Sequence, residues 1–179
     1  DFQKPDYENS KPIPFMIDQV NRLSLVNLSI SDVTGIEDFA QIDSLFIINN
    51  SITSADLSSN SNLSVLYYNN NGSNTLNLSG LSDLKYVKCE NNSITSLDVS
   101  GNSGLTYLKC DQNQLASLNV TNCTSLSYLN CHQRTILIVS YSYSLVNIFF
   151  KIFFNLCLGC LFYVCCLHKK FMPMTRHNR

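Results

Sequence analysis

Few residues in this chain carry chemistry beyond packing, and the cysteines come first. There are eight, and three of them, Cys89, Cys110 and Cys131, recur at a fixed 21-residue interval. Four more crowd toward the C-terminus, where Cys157 and Cys160 form a Cys-x-x-Cys pair with Cys165 and Cys166 close behind. Such a pair holds zinc or shuttles electrons when it sits among polar residues at a turn. This one is embedded in Leu and Phe, which points away from either role. Cys89, Cys110 and Cys131, if stacked in consecutive strands, would lie about 4.8 Å apart with parallel side chains. A disulfide needs Cβ atoms about 3.8 Å apart and pointing toward each other. The three are therefore expected to be a structural ladder of small buried hydrophobes. Cys123 replaces the Asn expected near the end of its block and receives no role.

Oxygen and nitrogen ligands are as sparse. Asp56, Asn77, Asp98 and Asn119 form a column at the same 21-residue spacing. Calcium takes about six to eight oxygens, and here the charge is thin and no glycine-rich aspartate repeat accompanies it. No metal or other cofactor is expected. The three histidines, His132, His168 and His177, make no His-Glu-x-x-His pair. Ser103, in Gly101-Asn-Ser-Gly104, lacks the spacing of a nucleophile elbow. No phosphate-cradling glycine loop occurs. No catalytic residue is assigned, and the chain is not expected to be an enzyme.

The elements that position these side chains follow from the period itself. Successive 21-residue blocks begin at Ile42, Leu63, Leu84 and Leu105, a fifth begins at Leu126 and loses the pattern, and a degenerate 22-residue copy precedes them at Val20 to Gln41. Positions one, four and six of a block are apolar (Leu84, Val87, Cys89; Leu105, Leu108, Cys110), as in a strand facing a core. A second apolar set (Ile94, Leu97, Val99; Leu115, Leu118, Val120) closes the coil from the other side. The ninth position is Asn50, Asn71, Asn92 and Asn113 in turn. An amide donates and accepts at once, so a stacked Asn ladder satisfies backbone groups left open where the chain turns. Gly, Ser and Asn fill the other corners. These features predict a mostly β solenoid of about five right-handed coils, with two parallel sheets, almost no helix and a core that grows along its axis.

Strand positions three and five point away from that core. They line up Tyr86, Tyr107 and Tyr128 in one file and Tyr67, Lys88 and Lys109 in the next, with Glu90, Asp111 and His132 following at position seven. This stripe is the candidate ligand-binding face, suited to a protein or glycan, because tyrosine gives large contact area at low entropy cost. The competing reading is that like residues stacked between coils only stabilise the sheet.

The chain resembles leucine-rich repeat proteins. It is closest to short bacterial surface repeats with a Leu-x-x-Leu-x-Cys-x-x-Asn core followed by Leu-Thr-Ser-Leu-Asp-Val-Ser. The segment CENNSITSLDVSGNSGLTYLKC at 89–110 carries the likeness nearly letter for letter. ISDVTGIEDFAQIDSL at 30–45 resembles the lead-in repeat of these proteins and, more distantly, of internalin-type adhesins. The resemblance spans residues 20–133 and implies an extracellular or cell-surface binding or adhesion module. The alternative is a spacer, or a piece of a longer repeat array with no ligand of its own.

The two ends read differently. Residues 1–19 hold three of the four prolines and no repeat, and are expected to be a linker or a cap whose Phe15, Met16 and Ile17 cover the first coil. The chain begins at Asp1 with no initiator Met or signal peptide, as a processed chain or a fragment would. All 13 acids lie at or before Asp111, giving residues 1–111 a formal charge of −7, whereas residues 112–179 carry six bases and no acid. Trp is absent and charged residues are only 14%, so no nucleic-acid partner is expected. Eight Asn-x-Ser/Thr triplets occur, at Asn27, Asn49, Asn62, Asn71, Asn77, Asn91, Asn119 and Asn122, but the repeat generates such triplets by itself.

The tail at 134–179 has lost the repeat. Three readings of it stay open: a transmembrane segment at 145–167, a frame-shifted or read-through end, or a capping hairpin or helix. The membrane reading strains on magnitude. The uncharged run between Lys151 and His168 is confined to residues 152–167. As helix it reaches about 24 Å against a hydrocarbon core of roughly 30 Å. Bringing Lys151 inside costs on the order of 3 kcal/mol.

Overall fold

The computed structural model describes residues 17–131 and, by backbone alone, the strands Leu137–Tyr141 and Phe162–Cys166. Each block from Ile42 onward makes two short strands, whereas the first copy makes one strand and a 3-10 turn. The first set is β1 (Arg22–Val26), β2 (Ser44–Ile48), β4 (Val65–Tyr67), β6 (Tyr86–Lys88), β8 (Tyr107–Lys109) and β10 (Tyr128–Asn130). These pair in that order into one parallel sheet, the near sheet. The second set is β3 (Ser54–Asp56), β5 (Thr75–Asn77), β7 (Ser96–Asp98), β9 (Ser117–Asn119), β11 (Leu137–Tyr141) and β12 (Phe162–Cys166). It forms the far side of the coils. A 3-10 turn spans Ile36–Asp38.

Register follows the sequence period. Tyr86 pairs with Tyr107 and Tyr107 with Tyr128, each one period further on, whereas Arg22 pairs with Ser44 across the longer first copy. Alternation sorts the side chains, because successive residues of a strand face opposite ways. The middle residue of each three-residue strand is buried and its neighbours are not.

Two features depart from the expected pair of continuous sheets. The far side is split, with β3 and β5 forming one pair and β7, β9, β11 and β12 forming a second sheet. The side chains divide at the same place: Asn77 donates to Asp56 and Asn119 to Asp98. The other departure lies beyond residue 133, where the sequence pattern fails. β11 sets Ile138 beside Ser117 and Val139 beside Leu118, so the 21-residue offset continues. Backbone pairing needs no particular side chain, and the coil runs on after its signature has gone.

Ile17 lies within the described part, with its carbonyl accepting from Val20 N–H at 3.0 Å, while Phe15 and Met16 lie outside it. Of the 145–167 stretch, Phe162–Cys166 is strand and the rest lies outside the described residues, as do His132, His168, His177, Cys157 and Cys160. Among the described residues no helix is long and apolar enough to cross a membrane.

The core consists of the predicted columns. Ile42, Leu63, Leu84 and Leu105 are fully buried, as are Leu45, Leu66, Val87 and Leu108. Each such side chain stabilises by roughly 1.5–3 kcal/mol relative to exposure. One coil varies the pattern in a compensated way. Tyr68 stands where its neighbours have Ile47 and Cys89, and Ser73 stands where they have Ile52 and Ile94. Both are fully buried, and the Tyr68 hydroxyl donates to Ser73 Oγ at 2.9 Å. The large ring takes the space of the missing aliphatic side chain, and its polar end is satisfied.

Candidate functional site

The corners of the coils are held by three amide files, of which the sequence exposed one. In the predicted ladder, Asn71 Nδ2 donates to Ile47 O (2.9 Å) and Tyr68 O (3.0 Å), Asn92 Nδ2 to Tyr68 O (2.9 Å) and Cys89 O (3.1 Å), and Asn113 Nδ2 to Cys89 O (2.9 Å) and Cys110 O (3.1 Å). Asn50 does the same for Leu25 O, and its Oδ1 accepts from Leu28 and Ile30 N–H. A second, inner file runs at position nineteen, where Cys123 stands in place of an expected Asn. Asn60 donates to Ile36 O (2.8 Å) and Asn102 to Leu78 O and Leu81 O (both 2.9 Å), and Cys123 Sγ reaches Val99 O at 3.0 Å. Cys123 thus has a role: its thiol is the weak donor where other coils use an amide. Burial pushes that thiol up to about 11, so it stays protonated.

The third file runs outside, at position eight. Asn27, Asn49, Asn70 and Asn91 all have positive φ, between 55° and 61°. Asn tolerates that left-handed region better than most residues. Their amides pass hydrogen bonds along the axis, Asn91 to Asn70 and Asn70 to Asn49 at 2.6 Å each and Asn49 to Asn27 at 2.9 Å.

Cys89, Cys110 and Cys131 stack in the core as thiols, each at most 2% exposed. Burial drives the Cys89 and Cys110 thiols well above the usual range, so neither is a nucleophile at neutral pH. The Asp56, Asn77, Asp98 and Asn119 column is occupied with backbone. Each side chain accepts, through its Oδ1, the N–H of the residue two further on, at 2.8–3.1 Å. The Ser58 hydroxyl and amide hold the Asp56 carboxyl below its ordinary range.

What remains exposed and organised is the near-sheet face. Five rings run across it as one stack. Phe46 lies 5.0 Å from Tyr67, Tyr67 5.4 Å from Tyr86, Tyr86 4.3 Å from Tyr107, and Tyr107 4.2 Å from Tyr128. The last two pairs are nearly coplanar in tilt, at 11° and 2°. Phe46 and Tyr67 occupy position five and the other three tyrosines position three, so the stack changes column between β4 and β6. The expected files are present, but Tyr67 leaves its own file to join the neighbouring one. Phe46 precedes Tyr67 in the same column and escaped a reading that followed the tyrosines.

The cations divide. Arg22 sits 4.4 Å over the Phe46 ring, and Lys88 lies 5.0 Å from the Tyr67 ring centre and 5.7 Å from that of Tyr86. Both add cation–π attraction to the stack. Lys109 instead bonds Glu90 at 3.1 Å and lies 3.7 Å from Asp111. Partial burial works against its ammonium, but Glu90 and Asp111 outweigh this and raise its pKa. Of the six candidate residues, the structure joins Tyr67, Tyr86, Lys88, Tyr107 and Tyr128 in one surface and turns Lys109 toward the acids beside it. Partial burial and the flanking Tyr128 and Tyr86 push the Tyr107 phenol upward.

No family model and no curated protein matches this chain. Among solved structures, the functional domain of InlJ from Listeria monocytogenes, which includes a cysteine ladder, is 34% identical to it with a TM-score of 0.65. The chain is a short-repeat leucine-rich repeat protein. The likeness covers 72% of this chain and 32% of InlJ's, so the leucine-rich repeat chain spans about a third of that structure's length. The solenoid with 21-residue turns, the parallel sheets and the stacked thiols are the parts of the fold that the likeness supports.

Proposed function

We propose that this leucine-rich repeat solenoid is a non-catalytic binding module at the cell surface that grips a partner protein with the aromatic face of its near sheet. The observation that carries the reading is the five-ring stack, flanked by Arg22 and Lys88, on a regular and solvent-facing surface. Tyrosine and arginine are residues that interfaces favour, and tyrosine fills contact area with only two rotors to freeze. The shape of the stack supports a protein as the ligand over a glycan. A sugar ring docks on an open aromatic face, but here each inner ring has both faces covered by its neighbours. The ring edges and phenol hydroxyls are what face outward, and these suit the mixed apolar and polar surface of a protein. Val65, Ile48 and Val26 extend the apolar part beside Phe46 and Tyr67. The surface location rests on the likeness to InlJ.

The test is selection from a display library of small protein domains, run beside a glycan array. Binders should lose at least tenfold in affinity when Tyr67 and Tyr86 are both replaced by Ala. They should be unaffected by Ser54→Ala with Ser96→Ala on the far side. Binders insensitive to the first pair, or recognition of glycans alone, would sink the proposal. A chain that yields no specific binder would be a spacer.

A further inference from the structure

The rings of Tyr86, Tyr107 and Tyr128 are placed for a reaction as well as for contact. Residues 107 and 128 are partners in a parallel register, and their ring planes lie 2° apart with centroids 4.2 Å apart. Parallel rings carried on register partners, stacked at this separation, bring the carbons ortho to the two phenol oxygens close to one another. Tyr86 and Tyr107 repeat the arrangement at 4.3 Å and 11°. Tyr67 and Tyr86, at 5.4 Å and 28°, do not. Tyr128 is 38% exposed, so an oxidant in solution reaches the outer ring of the file. Holding two reactants face to face removes the encounter entropy that otherwise limits a bimolecular coupling.

We propose that Tyr86, Tyr107 and Tyr128 form an oxidative cross-linking site, in which hydrogen peroxide and a one-electron oxidising peroxidase join neighbouring coils through dityrosine. Each phenol gives up one electron and one proton to become a phenoxyl radical, whose spin density is high at the ortho carbon. Two ortho carbons form a C–C bond, and the hydrogen on each moves to the oxygen as aromaticity returns. The net change is the loss of two electrons and two protons from the pair. One peroxide takes them up and becomes two waters. The bond would tie strand partners in adjacent coils, closing a loop that the unfolded chain must then carry. The Tyr107–Tyr128 link should dominate, Tyr86–Tyr107 should follow, and Tyr67–Tyr86 should be minor. Tyr68, fully buried with its hydroxyl on Ser73, should remain unmodified. This inference stands apart from partner binding, since it requires only the ring geometry.

The sequence makes the experiment readable. Trypsin cleaves after Lys85, Lys88, Lys109 and Arg134, which puts Tyr107 in the peptide 89–109 and Tyr128 in 110–134. The whole chain, dilute, is treated with a haem peroxidase and limiting peroxide, then digested. The expected result is dityrosine fluorescence in a product of monomer size and a linked 89–109/110–134 pair lacking two hydrogens. Tyr107→Phe keeps the ring in the stack and should remove most of the signal, whereas Tyr68→Phe should not change it. The linked chain should also unfold at a higher temperature than the untreated one. The proposal is overturned if dityrosine fails to form, if it forms only between molecules, or if Tyr67–Tyr86 is as abundant as Tyr107–Tyr128.

Discussion

Asn92 and Asn91 are neighbours in sequence with opposite duties, and replacing each by Ala separates them. The side chain of Asn92, 9% exposed, makes four main-chain hydrogen bonds of 3.1 Å or less and a longer one, at 3.3 Å, to Glu90 O. It donates to Tyr68 O (2.9 Å) and Cys89 O (3.1 Å) and accepts from Asn71 N–H and Ser73 N–H (both 3.1 Å). A buried polar group left unpaired costs about 1–3 kcal/mol. Some of the four recover with water admitted into the space of the amide. The expected loss for Asn92→Ala is therefore about 3–5 kcal/mol, beyond the usual range for a surface change. Asn91 gives up one exposed bond to Asn70 and puts Ala at a φ of 55°. That should cost about 1–2 kcal/mol, and Asn91→Gly should remove most of the backbone part of the loss. Urea unfolding with a common slope reads both values. Hydrogen exchange of the Asn71 and Ser73 amides shows where the loss falls, because solenoid coils respond locally. If Asn92→Ala costs no more than Asn91→Ala, or leaves those two amides as protected as before, the ladder does not hold the coils and the reasoning fails.

Restoring the repeat consensus with Ser73→Ile should destabilise by about 1–3 kcal/mol, because the new side chain meets the Tyr68 ring. Adding Tyr68→Ile should recover most of it, with the coupling read from a double-mutant cycle. Gly104→Ala should cost a comparable amount, since a Cβ there would stand 2.9 Å from the Ser82 carbonyl oxygen; thermal melting reports the shift. Alkaline pH should weaken the fold. Burial raises the Cys89 thiol in the folded chain, so above about pH 8.5 the unfolded chain ionises first and holds fewer protons. Stability is then complete below that pH and lost as it rises; Cys89→Ala should flatten this slope in urea midpoints measured from pH 7 to 10. Tyr68, raised by burial to about 12, should be absent from the native phenol titration near pH 10 and appear on unfolding.

What could be read in advance was whatever repeated. The near strands, the apolar columns and the Asn50–Asn113 ladder all recur with the 21-residue period, and stacking in register requires that recurrence. The features that escaped break the period or cross it. Asn60 and Asn102 share position nineteen with Leu81 and Cys123, so no single residue type marks the column. Tyr68 and Ser73 each look like an error when read alone and make sense only as a pair facing each other across the core. Lys109 occupies the same column as Lys88, and only the proximity of Glu90 and Asp111 gives it a different task.

The sequence by itself determined a parallel β-solenoid, its coil length and the residues inside it, because burying one face of each strand imposes a period that the order of residue types displays. The tertiary structure decided the surface. Which rings touch, which cations sit on them and which pair with acids depend on side-chain reach across strands, and a translational repeat does not encode that reach. It also decided that the backbone of β11 carries the coil past residue 133, since main-chain hydrogen bonds are indifferent to the side chains that had ceased to repeat.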